Sequence, residues 1–237
     1  MADNSFVWCG HSAVKVVTGE GTVLHIDPFL SENPSCPPEF KSVDACDVIA
    51  VTHGHGDHLG DTLRIYERFR PRIVGIFELV SMLHAQGVNA EDLVGMNIGG
   101  TTEVKGLKFS MVPATHSGGM MQEGKLVYGG DPSGFVVALE DGLRFYHAGD
   151  TWISADMEFI GKLFEPEIGF LPIGGFYTMD PRAAAMAAKL IGLKKVVPIH
   201  YGTMPVLTGT PEELEKELAG SGIVVQAPPI GQVFSLP

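Results

Sequence analysis

Three imidazoles and a carboxylate fall within six residues, His53-Gly54-His55-Gly56-Asp57-His58, directly after the apolar run Asp47-Val48-Ile49-Ala50-Val51-Thr52. Close histidines repel one another once protonated and gain little from packing, so a cluster of this kind calls for a bound cation. Imidazole and carboxylate together suit borderline divalent ions such as zinc, iron, nickel or manganese. Any fold for this chain must therefore end a buried strand in a loop that turns these side chains inward. His53 and His55 point the same way if the backbone is extended. Asp57 and His58 are adjacent and cannot share that direction. Two ions side by side would use both sets, His53 and His55 on one, Asp57 and His58 on the other. The small Gly54 and Gly56 are expected to let the backbone fold tightly here.

A chain of 237 residues, 45 % hydrophobic and 19 % charged, is long enough for one α/β domain with a sizeable core. A net charge of −12 repels phosphodiester backbones, so nucleic acid is not an expected partner. A local anion site stays open, because two divalent ions would add about four positive charges. Cys9, Cys36 and Cys46 stand at no metal-ligand spacing and read as small buried hydrophobes in a reducing compartment. The first residues, Met1-Ala2-Asp3-Asn4-Ser5, lack a basic stretch followed by an apolar one, and no apolar run approaches the ~20 residues of a membrane span. The expectation is a cytoplasmic protein without a membrane span, acting on a small molecule; nothing in the sequence sets an oligomeric state.

Short β-branched runs broken by glycines predict strands at 6–8, 13–17 and 22–26, and a fourth at 48–52 that delivers the ligand loop. Four prolines between Pro28 and Phe40 predict a loop near the site. Helices are predicted from Leu59 to Phe69, from Phe77 to Gln86 and from Asp156 to Phe164. Asp180-Pro181 opens another helix with an acidic N-cap, and Thr210-Pro211-Glu212-Glu213 is a capping box with Gly220 as its stop. Residues 94–148 alternate strands and turns, and 222–236 supply two last strands.

The H-x-H-x-D-H segment resembles the signature of the metallo-β-lactamase superfamily. That resemblance implies a four-layer αβ/βα sandwich, two mixed β-sheets flanked by helices, with a dinuclear metal site at one edge. The two β-rich halves are then expected to meet near residues 130–150. It also implies three further ligands: a histidine, a bridging aspartate and a final histidine. His116 in Pro113-Ala114-Thr115-His116-Ser117, Asp150 in Gly149-Asp150-Thr151 and His200 in Pro198-Ile199-His200-Tyr201 each follow a strand-like run, in that order. The resemblance places His53, His55 and His116 on one ion, Asp57, His58 and His200 on the other, and Asp150 between them. Details such as P-A-x-H-S, L-P-I-G-G-x-x-T-M-D and P-I-H-Y-x-T are similar to a branch of small metal-dependent hydrolases related to sugar-phosphate lactonases and a phospholipase D-type enzyme.

The activity so implied is hydrolysis of a small cytosolic ester, lactone or phosphodiester by a hydroxide shared between two divalent ions. Zinc is the first expectation, and manganese, nickel or iron are compatible. Asp57 is expected to orient the water and carry a proton to the leaving group. β-Lactam antibiotics are not expected substrates, since the superfamily's exported antibiotic-degrading enzymes usually carry cysteine where this chain has Asp150. Two alternatives remain open: an iron-dependent oxidoreductase or oxygenase of the same fold, and a non-catalytic metal-binding protein. Di-iron oxidoreductases typically show a carboxylate where this chain has His55, which counts against them.

Other residues carry weaker signals. His11, in Gly10-His11-Ser12, is read as a group at the pocket rim or behind the ligands, or as an ordinary turn residue. His25 is read as a satisfied sheet residue, His84 as exposed and His147 as a packing or supporting group. Asp61 is expected either to hold a ligating histidine by its ring N–H or to cap the following helix. Ser117 finds no base and acid partners for nucleophilic work, because the histidines are occupied. The loop Gly174–Met179 either holds an anionic group at a helix N-terminus or is a tight turn.

Overall fold

The computed structural model describes residues 3–235. The predicted early strands form as β1 (Ser5–Trp8), β2 (Val14–Val17), β3 (Val23–Ile26) and β4 (Val48–Ala50). β5 (Arg72–Ile76) and β6 (Leu93–Met96) complete the first sheet from that side. The second sheet contains β7 (Thr101–Val104) and β8 (Leu107–Pro113). A small separate hairpin, β9 (Gly119–Gln122) with β10 (Lys125–Tyr128), interrupts it. β11 (Ser133–Ala138), β12 (Arg144–His147), β13 (Ile168–Pro172), β14 (Lys195–Ile199) and β15 (Val224–Val225) finish the second sheet. β16 (Val233–Ser235) then returns to pair antiparallel with β1.

The strand orders are β16-β1-β2-β3-β4-β5-β6 and β15-β14-β13-β12-β11-β8-β7. Each sheet is antiparallel on one side and parallel on the other: β3 to β6 run parallel in the first, β12 to β15 in the second. The inner strands β3, β4 and β13 of the parallel halves are buried along their length, as helix-covered strands must be. Phe6 of the first sheet meets Phe145 and Phe170 of the second at ring-centroid distances of 5.5 and 6.0 Å, so the two sheets face each other across an aromatic core.

Helices α1 (Gly56–Leu59), α2 (Thr62–Phe69) and α3 (Phe77–Ala85) accompany the first sheet. α4 (Asp156–Phe164), α5 (Pro181–Ile191) and α6 (Pro211–Leu218) pack on the outer face of the second through Val112, Val136, Tyr146, Leu171 and Val196. The predicted caps of the last two helices form. Asp180 accepts from Ala183 N at 2.7 Å, and Thr210 and Glu213 make a reciprocal capping box.

Three expectations need correction. The helix predicted from Leu59 to Phe69 forms as α2 but starts only at Thr62, and Leu59 ends the separate α1. Gly60, at φ 42°, breaks it where a Cβ would lie 2.5 Å from the Pro28 carbonyl oxygen. Gly54 and Gly56 are not the tight turn, since neither has positive φ; Gly56 opens α1, and Gly54 is small because Met120 lies against it. The halves divide between β6 and β7, near residues 97–100, and not near 130–150. The two last strands join different sheets.

Candidate metal centre

Antiparallel neighbours alternate direction, so β1, β3 and β4 run the same way in the first sheet, as do β8, β12 and β14 in the second. The segments after these six strands carry His11, Asp27, His53–His58, His116, Asp150 and His200. Ligands of α/β sheets commonly collect beyond the carboxyl ends of strands. Cross-links hold the segments together. Ser133 N and Oγ both donate to Thr52 O, at 3.1 and 3.0 Å, tying one sheet to the other. Thr115 N donates to Thr151 Oγ1 at 2.9 Å and Trp152 N to Thr115 O at 3.0 Å, which sets the His116 segment beside Asp150. Gly149, at φ 59°, lets the Asp150 turn approach Thr52, whose Cβ lies 2.8 Å from where a side chain would begin.

The seven residues singled out from the sequence are brought together. Ligand-capable atoms of His53, His55 and His116 lie within 4.8 Å of one another. Those of Asp57, His58 and His200 form a second group, with His11 as a fourth member. Asp150 lies between the groups: Oδ1 is 3.3 Å from His58 Nε2, while Oδ2 is 3.1 Å from His200 Nε2 and 3.5 Å from His116 Nε2. His53 Nε2 and His55 Nδ1 are 2.9 Å apart, a separation open to two nitrogens each about 2.0–2.1 Å from a shared ion. His55 Nε2 faces Ser117 Oγ at 3.3 Å.

These residues fit a divalent ion. Among the described residues, His58 Nε2, Asp150 Oδ1 and both ring nitrogens of His200 are buried without a hydrogen-bond partner. Buried polar atoms are costly unless something satisfies them, and the donor set is the nitrogen and oxygen mixture that such ions take. The electrostatics point the same way. Burial holds His53 well below an ordinary imidazole, and burial also lowers His55 and His116, so their lone pairs are free at neutral pH. Full burial opposes ionisation of Asp150, yet His58 and His200 beside it hold the carboxyl well below the usual range. His58 is the converse case: burial disfavours its cation, but Asp150 and Asp27 on either side raise it well above an ordinary imidazole. The site is built to hold positive charge between carboxylates.

Asp27 carries no local signal in the sequence beyond an Asp-Pro at a strand end, yet it organises the pocket. It is fully buried, and it accepts from Thr52 N at 2.8 Å and from Thr52 Oγ1 at 2.7 Å. His58 Nδ1 donates to it at 2.8 Å, which aims Nε2 at Asp150. Because the Thr52 hydroxyl donates to Asp27, its oxygen accepts from His53 Nδ1 at 3.0 Å, which leaves Nε2 unprotonated and facing His55. One carboxylate therefore sets the tautomers of two histidines, a supporting arrangement common behind metal ligands.

Asp61 does neither of the two things expected of it. Its oxygens accept from Leu30 N, Ser31 N and Ser31 Oγ at 2.9, 2.7 and 2.6 Å, and its side chain makes no cap bond to α2. It fastens the proline-rich loop to the ligand segment instead. His147 is supporting, as read: Nε2 donates to Ser12 O at 2.9 Å and Nδ1 accepts from Gly149 N at 3.2 Å. His25 is buried against Ala45 O, and His84 is exposed. The loop Gly174–Met179 is a closed turn, with Gly175 N donating to Met179 O at 3.0 Å and Asp180 occupying the helix N-terminus. That carboxylate repels the anion the sequence had left possible there. All three cysteines are buried and free, and burial pushes the Cys9 and Cys46 thiols up to about 12. Among the described residues no helix is long and apolar enough to cross a membrane.

Comparison with known proteins places this geometry. The family model described as "Beta-lactamase superfamily domain" matches residues 22–201. A UPF0173 metal-dependent hydrolase of Methanopyrus kandleri is 47 % identical over 219 residues, covering 92 % of this chain and 93 % of that protein. One from Koribacter versatilis is 46 % identical, covering 88 % and 89 %. Among solved structures, Igni18, a metallo hydrolase of the hyperthermophilic archaeon Ignicoccus hospitalis, superposes with a TM-score of 0.88 at 33 % identity, over 100 % of this chain and 99 % of that one.

Proposed function

The chain belongs to the metallo-β-lactamase superfamily and is a metal-dependent hydrolase within it, and on that premise we propose that it holds two divalent ions and hydrolyses a small cytosolic ester, lactone or phosphodiester. His53, His55 and His116 would hold one ion, Asp57, His58 and His200 the other, with Asp150 shared. Zinc suits this nitrogen and oxygen set first; manganese, nickel and iron also suit it. The observation that supports the reading is the position of Asp150, whose carboxylate lies against His116 of the first group and against His58 and His200 of the second.

Bound divalent ions supply Lewis acidity, which acidifies water toward neutrality and polarises the bond to be broken. The protein's own groups do the rest. Asp27 and Thr52 fix the ring orientations of His58 and His53 before any substrate arrives. Asp57 keeps 28 % of its side chain open to solvent, against 3 % for Asp150, so Asp57 is the carboxylate able to meet water and substrate. Burial opposes its charge, but the hydrogen bond from His11 and the nearby His58 hold it well below the usual carboxylate range. It therefore stands ready as an acceptor, orienting water through an oxygen and passing a proton on to the leaving group.

The test is a panel of small esters, lactones and phosphodiesters offered to protein carrying each candidate ion. Wild type should turn over at least one class, and Asp57→Asn should lower that turnover by about 10²–10⁴-fold. Full turnover by Asp57→Asn, or none by wild type bearing two ions per chain, would contradict the reading.

A further inference from the structure

His11 is more than a turn residue. It is fully buried, and its backbone adopts φ 54°, a left-handed conformation that L residues keep only when their surroundings demand it. Its carbonyl oxygen accepts from His200 N and from Trp8 Nε1, both at 2.8 Å. Trp8 in turn stacks on Tyr201, the residue after His200, at 5.0 Å between ring centroids. The His11 ring lies 3.9 Å from the His200 ring, centroid to centroid, and His11 Nε2 is 3.1 Å from Asp57 Oδ2. An ionised carboxylate has no proton to give, so the N–H belongs to His11 Nε2 and the bond runs from imidazole to Asp57. That bond engages Oδ2, so the other oxygen of Asp57 would be the one open to an ion and to water. One residue thus touches two of the three groups assigned to the second ion, one through its side chain and one through its backbone.

We infer that His11 is a positioning residue for the second ion: its Nε2–H holds the Asp57 carboxylate while its carbonyl holds the His200 backbone. The inference rests on the two-ion reading above. Losing a partner behind a metal ligand typically weakens metal binding by about 10–100-fold. The effect should fall on one ion only, because His53, His55 and His116 do not depend on His11.

Calorimetric titration with zinc, paired with the absorption spectrum of the cobalt-loaded protein, separates the outcomes. His11→Phe keeps the bulk and removes the donor. His11→Gln returns an N–H at a comparable reach. Wild type should bind two ions. His11→Phe should lose about 10–100-fold in affinity for one ion, leave the other unchanged and alter one part of the cobalt spectrum, and His11→Gln should recover most of that loss. Should His11→Phe fail to fold, His11→Asn gives the same reading. Asparagine tolerates left-handed backbone, but its amide is too short to reach Asp57. Wild-type affinity for both ions in the donor-less variant, or equal weakness in His11→Gln, would overturn the assignment. Fewer than two ions on wild type would instead remove the two-ion reading itself, so the two failures are distinguishable.

Discussion

Asp27 accepts three hydrogen bonds with no exposure to solvent, and two of the donors belong to Thr52. Removing an acceptor from such a place leaves buried donors unsatisfied, at a cost of about 1–3 kcal/mol. Asp27→Ala should therefore lower stability in urea by that order and weaken metal retention against a chelator by about 10–100-fold. Unchanged retention would show that His58 and His53 need no help to face inward. His25 offers a separate test, remote from the ligands. Burial lowers its pKa from 6.5 to about 4, so the native state keeps the ring neutral where the unfolded chain would bind a proton. Its contribution is fully present above about pH 6.5, and it declines as pH falls toward about 4. By pH 5 the loss reaches about 2 kcal/mol. Urea denaturation at pH 7.5 and 5.0 should show wild type losing about that much more than His25→Gln; equal losses would refute it. At this scale the readable residues were those whose chemistry is locally crowded. His53 to His58 announce themselves within six positions, whereas Asp27 is one aspartate whose partners lie 25 and 31 residues away.

Gly60 shows what an element boundary can demand. Its φ of 42°, and the 2.5 Å from its missing Cβ to the Pro28 carbonyl oxygen, press the ligand segment onto the proline-rich loop. Asp61 then secures that loop from the next position. Gly60→Ala must strain the backbone or part the two segments, and it should cost about 1–3 kcal/mol in urea denaturation. A loss below about 0.5 kcal/mol would mean that the contact relaxes freely. The sequence pattern over Leu59–Phe69 is helical enough to hide this break, because a single glycine inside an amphipathic run reads as a tolerated defect. Caps were legible for the opposite reason: Asp180-Pro181 and Thr210-Pro211 satisfy their own helix ends with residues adjacent in sequence. Asp61 was misread because its partners, Leu30 and Ser31, are remote in the chain.

Taken whole, the molecule sets two sheets face to face, and three co-directional strands of each lead into the segments that carry the site. That the candidate residues would be gathered from segments following apolar runs was readable, since each stands just beyond one. The division between halves was not, because the β9–β10 hairpin and the dense turns of residues 94–148 blur the break near residue 97. Nothing local tells a strand which sheet it will join, and the last two strands part company for that reason. The proposed function makes one demand of the assembled site: seven side chains from four separate segments would share two cations between them. Metal content of wild type and of Asp150→Ala, measured after dialysis against a weak chelator, tests it most directly. Wild type should keep two ions per chain, and Asp150→Ala, lacking the group that faces both sides, should fall below one. Two ions retained by Asp150→Ala, or a single ion on fully loaded wild type, would contradict the account.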